Sequence, residues 1–326
     1  MSYSKNSKML NEPDKKSQKT SSQKLVTHNG SFHADDIFAA AALIFYIEKT
    51  NKDFSAQGGP ASGWEIIRTR DEEIIKDGDY VFDVGGIHDP EQNRFDHHQP
   101  GGAGQHDNGI EYASFGLVWK KFGQEMCGSP EVAKILEDKL VSPIDAGDNA
   151  ISLVEFNREV KPYFIQTAFN AFYPSWKNMT MENLYAGFME CVPIAKLILQ
   201  KEIALAKDII EAKSAIMRIY KNTEDKRIIV LDKKYPYEQI TADLPEPLFV
   251  IYPRADGLWG AKAEKRESKS FENKKDFPMA WAGLRDEEIQ RVSGVSDAVF
   301  CHRALFLCVA KSKEGAIKLA KIAVES

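Results

Sequence analysis

The chain has 326 residues, 43% of them apolar and 10% aromatic, which is ample for packed cores and argues for one large domain or, better, two. A formal net charge of −5 excludes an overall basic field that grips nucleic acid by counterion release, so any polynucleotide must be held locally. No apolar run approaches the roughly 20 residues needed to cross a bilayer, and four scattered cysteines indicate neither a zinc knuckle nor a disulfide framework, which fits a reducing cytosol.

Residues 1–24 hold six Lys and six Ser with almost no large apolar side chain, a composition expected to form a disordered tail. The tail has no Arg and contains Glu12 and Asp14, so a cytoplasmic location is the main reading and mitochondrial targeting the minor one. From Leu25 onward, short β-rich runs at 25–28, 64–68 and 80–83 surround a helical stretch at 35–49. That alternation predicts an α/β fold with a mostly parallel sheet and flanking helices. In such sheets ligands collect beyond the carboxyl ends of the strands, where His28 and Asp83 stand. Helices are expected near 112–122, 130–140 and 162–172. The apolar spacing of Ile198, Ile203, Leu205, Ile209 and Ile216 predicts one long amphipathic helix over 193–220. It would link a domain at 25–192 to a smaller C-terminal α/β domain at 221–326, with strands at 227–231, 248–252, 298–302 and 305–309 and a closing helix at 313–324.

Six of the seven histidines lie between His28 and His106, and most arrive in carboxylate-bearing packets. These are His28-Asn-Gly-Ser-Phe-His33-Ala-Asp35-Asp36, Asp83-Val-Gly-Gly-Ile-His88-Asp89 and Asp96-His97-His98. Imidazole nitrogen with carboxylate oxygen favours Mn, Fe or Zn, and so many anionic oxygens suit two ions rather than one. A metal-dependent hydrolase is the leading expectation. Asp35 or Asp36 also suits a helix cap, but capping needs one oxygen and no imidazole. Asp83 stands at the tip of an apolar strand, where a carboxylate needs a strong partner, and Gly85-Gly86 lets the backbone turn there. Neighbouring residues of an extended segment face opposite ways, so of His97 and His98 one binds metal and the other handles substrate. Asn29 and Asp96 are expected to orient the ligating imidazoles from behind. The glycine-rich loop at 101–109 either presents backbone N–H groups to a substrate phosphate or is a plain surface loop.

These packets resemble the DHH phosphoesterase superfamily, and within it the melanocyte-proliferating-gene-one (MYG) family of metal-dependent hydrolases and exonucleases. The resemblance rests on Thr27-His-Asn-Gly-Ser-Phe-His-Ala-Asp-Asp36, Asp83-Val-Gly-Gly, Arg94-Phe-Asp-His-His-Gln99, Asn108 through Trp119, Ile144-Asp-Ala-Gly-Asp-Asn149 and Trp281-Ala-Gly-Leu-Arg-Asp286. It implies two α/β domains with the active site in the cleft between them. It also implies that His28, His33 and Asp83 hold one ion, usually Mn²⁺. Asp35, Asp83, His97 and either Asp145 or Asp148 would hold a second, with Asp83 as bridge and His98 at the scissile phosphate or leaving oxygen. Arg94 and Ser114, inside the matching stretches, are expected to meet substrate. The sequence departs from the superfamily at His33, where other branches usually carry an aspartate, and at 301–306, which lacks the paired-glycine substrate loop.

The resemblance further implies 3′-to-5′ removal of mononucleotides from single-stranded RNA or a short oligonucleotide by a two-metal activated water. His302 and Arg303, a histidine–arginine pair at a predicted strand end, are candidates for holding the polynucleotide. The cations at 262–275 are another, although Glu264, Glu267 and Glu272 interleave with them and favour a solvated loop. Two alternatives stand beside this reading: a phosphodiesterase or pyrophosphatase on dinucleotides or small phosphates, and a non-catalytic metal-bound interaction protein. No membrane partner is expected, and a homodimer is the one assembly allowed for.

Overall fold

The structure is a computed structural model that describes residues 22–50, 63–156, 158–267 and 272–326. Residues 1–21 of the tail expected over 1–24, and Lys269 in the basic run, lie outside the described residues, while Gln23 and Lys24 already belong to a strand. The chain divides into two compact units, Met1–Leu199 and Gln200–Ser326.

The first unit is built on β1 (Gln23–Thr27), β2 (Trp64–Arg68), β3 (Tyr80–Phe82), β4 (His88–Asp89) and β5 (Arg94–Phe95) in the order β2-β1-β3-β5-β4. All pairings are parallel except β4 with β5. Leu25, Val26, Val81, Phe82 and Phe95 are buried, as a parallel sheet covered on both faces requires. Helix α1 (Ala34–Thr50) is buried over most of its length because its Ala-rich run leaves no polar stripe. Its Phe38 packs on Phe115 of a second long helix, Ser114–Cys127, at 5.4 Å between ring centroids. Numbering the short helix Glu72–Lys76 as α2 makes Ser114–Cys127 α3; α4 (Pro130–Leu136), α5 (Ser142–Asp148) and α6 (Ile165–Asn170) come after it. A π turn at Glu137–Val141 separates α4 from α5, so the single helix expected over 130–140 is interrupted.

Helix α7 spans Met181–Asn222 and carries Pro193 in its interior rather than at its start. Leu184, Phe188, Cys191 and Val192 continue the apolar face upstream of the proline and are buried, so packing outweighs the missing N–H.

The second unit holds β6 (Ile228–Val230), α8 (Glu238–Thr241), β7 (Phe249–Pro253), β8 (Trp259–Ala263), α9 (Asp286–Ser293), β9 (Ala298–Cys301), β10 (Leu307–Ala310) and α10 (Lys313–Glu325). Its sheet runs β6-β7-β8-β10-β9, with only β6 and β7 parallel. Alternation sorts the faces: Ile228, Phe249 and Ile251 meet Leu319 and Ala323 of α10, while Ile229, Val250 and Tyr252 meet Ala212 and Ile216 of α7. Among the described residues no helix is long and apolar enough to cross a membrane.

Candidate metal centre

Register builds the site. Val26 lies opposite Val81 and Phe82 opposite Phe95, so the residues just past the three strands, His28, Asp83 and Asp96, fall side by side on one sheet edge. Asp83 turns the chain there with φ 55°, a conformation that few non-glycine residues adopt, and Gly85 and Gly86 continue in positive φ. Beside them opens a cleft of about 520 Å³ lined by His28, His33, Arg70, Asp83, Asp96, His98 and Asp148 among others.

Three sets of donor atoms lie within 4.8 Å of one another: His28 with His33 and Asp83, Asp83 with His97 and His98, and Asp35 with His97 and Asp148. Asp83 belongs to two of them. His28 Nε2 lies 3.1 Å from its carboxylate and His97 Nε2 lies 3.5 Å away. His97 Nε2 is also 3.3 Å from Asp148, and His33 Nδ1 is 3.7 Å from the same group. The Nδ1–H of His28 donates to the Asn29 carbonyl at 3.1 Å, which makes Nε2 the ring nitrogen that faces the cluster. Asn29 therefore orients His28 through its backbone rather than its side chain. Asp96 accepts from the Gly86 N–H at 2.6 Å and from His98 Nδ1 at 2.7 Å, which aims the half-exposed His98 ring.

The electrostatics favour positive charge at this point. Burial, then the charges of Asp148, Asp83 and Asp145, push the Asp35 carboxyl well above the carboxylate range. Burial opposes charge on His28 and His97, yet hydrogen bonds to Asp36 and Asp83, and to Asp148 and Asp83, raise them to about 10 and about 11. Burial likewise works against ionised Asp83, and the same two histidines overcome it and hold it below its ordinary value. Asp36 Oδ2 and His97 Nε2 are buried, and their contacts, at 3.3 Å or more, leave both incompletely satisfied. Buried donor atoms left unsatisfied among mutually repelling carboxylates fit divalent ions, with nitrogen and oxygen ligands in the proportion that Mn, Fe or Zn accepts.

Several expected roles fall elsewhere. Asp145 is in none of the three sets: it is fully buried against His106, with Nε2 to Oδ2 at 2.7 Å. Ser114 is also fully buried, and its N–H donates to Asp35 at 3.1 Å while its hydroxyl reaches toward Asp83 at 3.5 Å, so it supports carboxylates from behind the cleft. Arg94 is turned away from the cluster to the carbonyls of Gly78, Gln92 and Lys76. The start of α3 presents no N–H to a phosphate, because Ser114, Phe115 and Gly116 give theirs to Asp35 and Asp145. His302 and Arg303 lie in the second unit, in the turn between β9 and β10; His302 Nδ1 accepts from the Ala304 N–H at 3.0 Å and its ring packs on Phe306. In the basic run, Lys262 pairs with Glu238 while Lys274 and Lys275 bond the Leu244 and Ser326 carbonyls.

Of two further residues at the centre, Arg68 has no expected role and Asp36 only that of a helix cap. Asp36 lies 3.3 Å from His28 and accepts the His33 N–H at 2.8 Å. Beneath it Arg68, 3% exposed, bonds the Gly30 and Ser31 carbonyls and stacks on Phe188 at 4.5 Å. The signal for Arg68 was present, since it ends β2 opposite Thr27 on the same sheet edge as His28.

The sequence pattern of the MYG1 exonuclease family (Uncharacterised protein family, UPF0160) matches residues 24–324. The chain belongs to that family. It is 29% identical to the MYG1 exonuclease of Rattus norvegicus over 90% of this chain and 83% of the relative. The MYG1 exonuclease of Homo sapiens is 28% identical over 90% and 84%, and a MYG1 protein of Chlamydia pneumoniae is 28% identical over 92% and 96%. The structure of RecJ in complex with Mn²⁺ from Thermus thermophilus is 13% identical with a TM-score of 0.27, covering 93% of this chain and 52% of that one.

Proposed function

We propose that the chain is a metal-dependent exonuclease that removes mononucleotides from the 3′ end of single-stranded RNA. The observation that carries the metal half of this reading is Asp83, shared by two overlapping donor sets in a cleft about 520 Å³ in volume. Family membership supports the exonuclease half. In this reading His28, His33 and Asp83 hold one ion, and Asp35, Asp83, His97 and Asp148 hold the other, with Mn²⁺ proposed from among the ions that a mixed nitrogen and carboxylate set accepts. Two bound ions would supply Lewis acidity and a nucleophilic water near neutral pH.

The protein's own groups do the rest. Asp83 neutralises charge at the centre, and its left-handed backbone aims the carboxylate inward. Asp96 fixes His98 through Nδ1, so Nε2 faces outward to hand a proton to the leaving oxygen or bind the scissile phosphate. Arg70, exposed on the cleft wall, replaces Arg94 as the cation that meets a phosphate oxygen. We propose His302 and Arg303 of the second unit as further contacts for the polynucleotide.

The test is hydrolysis by Mn²⁺-loaded protein of RNA and DNA labelled at either end, of dinucleotides and of pyrophosphate. Mononucleotides released stepwise from the RNA 3′ end are expected. Untouched RNA with rapid cleavage of dinucleotides or pyrophosphate would replace the exonuclease with a small-substrate hydrolase, and bound metal with no turnover anywhere would leave an interaction protein.

A further inference from the structure

His106 and the glycine-rich loop have no part in the chemistry above, yet they are as closely built as the metal cluster. The loop closes on itself: the His106 N–H donates to the Ile110 carbonyl at 2.8 Å, the Gly109 N–H to the His106 carbonyl at 2.9 Å, and Gln105 bridges to Glu111. It then grips α5 from end to end. Asn108 Nδ2 donates to Ser142 Oγ at 2.8 Å, His106 Nε2 meets Asp145 Oδ2 at 2.7 Å, and Asn149 Nδ2 donates to the Glu111 carbonyl at 2.9 Å. Residues 142, 145 and 149 share one helix face. The other His106 nitrogen meets Glu137 Oε1 at 3.0 Å, and the ring, 2% exposed, lies against Tyr112. Neither nitrogen is free for a ligand. Asp145 is pinned from its other side by the Gly116 N–H at 3.1 Å, and a Cβ on Gly116 would lie 1.8 Å from Oδ2, so no larger residue fits.

A helix of seven residues cannot hold its own geometry in water and takes it from its neighbours. What α5 delivers is Asp148, one turn beyond Asp145, to His97 at 3.3 Å. We propose that His106 is a positioning residue for the metal centre: braced by Glu137, it fixes Asp145 and so sets the turn of α5 that brings Asp148 to His97 and His33.

This inference rests on the metal reading, and Mn²⁺ titration of the metal-depleted full chain, followed by calorimetry or electron paramagnetic resonance, separates the two. Wild type should bind two ions. His106→Ala should bind one of them about 10–100-fold more weakly, the range for lost outer partners of metal ligands, and the other within about threefold. His106→Gln puts an amide donor where Nε2 stood and should recover most of the affinity. Leu136→Ala, which empties a buried position beside Glu137 and leaves the loop contacts alone, should lower stability without changing Mn²⁺ affinity. If His106→Ala does not fold, Glu137→Ala carries the same test, with an unchanged titration counting against the proposal. Equal weakening in His106→Ala and Leu136→Ala would overturn it as mere loss of stability. A wild type that bound no Mn²⁺ would overturn the metal reading, and this one with it.

Discussion

Replacing Asp83 by Asn tests the bridge with the least collateral change. Asn keeps the shape and, unlike Ala, tolerates the left-handed backbone at φ 55°, so the substitution removes charge and little else. The Asp83 carboxylate lies 3.1 and 3.5 Å from His28 and His97, so cations held by those two groups sit within direct reach of it. One unit charge about 4 Å from another is worth about 4 kcal/mol at an effective dielectric constant of about 20. That is roughly 10³ in a binding constant. A dication doubles the Coulombic part and relaxation of the remaining ligands returns some, so about 10³ serves as a floor for each site that uses the group. Mn²⁺ titration, metal content after gel filtration and a far-ultraviolet melt together give affinity, stoichiometry and fold. Asp83→Asn should still fold but melt lower without metal at neutral pH, because the buried His28 and His97 lose a charged partner, and it should fail to retain two equivalents of manganese and lose turnover. Two equivalents held within a few-fold of wild-type affinity, or turnover near wild type, would refute the bridge.

Much of this centre was legible because its logic is local to strand ends. A parallel sheet gathers along one edge the residues just past its strands, and His28, Asp83 and Asp96 each occupy such a position. The same rule pointed to Arg68, but an arginine in a strand looks like ordinary surface until Gly30, Ser31 and Phe188 close around it. The choice between Asp145 and Asp148 was not legible. The two stand three residues apart on one short helix, and the difference between them is that His106 meets the first and His97 the second. Ser114 and Arg94 were misplaced for a related reason: a motif names a residue's company but not its depth, and one proved buried while the other faces backbone carbonyls. β8 escaped because Trp-Gly-Ala-Lys-Ala has weak strand propensity, and it forms because β7 and β10 pair with it on both sides.

The remaining predictions concern the two kinds of histidine. His98→Ala should keep its manganese while turnover falls by roughly 10²–10⁴, because the His98 side chain is 62% exposed and its Nδ1 is held by Asp96; a variant that loses metal, with His97→Ala retaining it, would reverse the two roles. His28 and His97 make the metal-free protein sensitive to alkali, and the sign comes from the direction of their shifts. Both are raised in the folded state, to about 10 and about 11, above the unfolded value of about 6.5. Their contribution to stability is therefore complete below about pH 6.5 and lost as pH rises through the folded values. The melting temperature of the metal-free chain should fall between pH 7 and 11. Metal ligation needs neutral imidazoles, so Mn²⁺ must displace those protons, and apparent affinity should rise by up to about tenfold per pH unit for each proton released. Calorimetry in buffers of different ionisation enthalpy counts the protons directly. Release of none at pH 7.5, with an affinity flat from pH 6.5 to 8.5, would mean that His28 and His97 are already neutral in the metal-free chain, and would refute their raised titration.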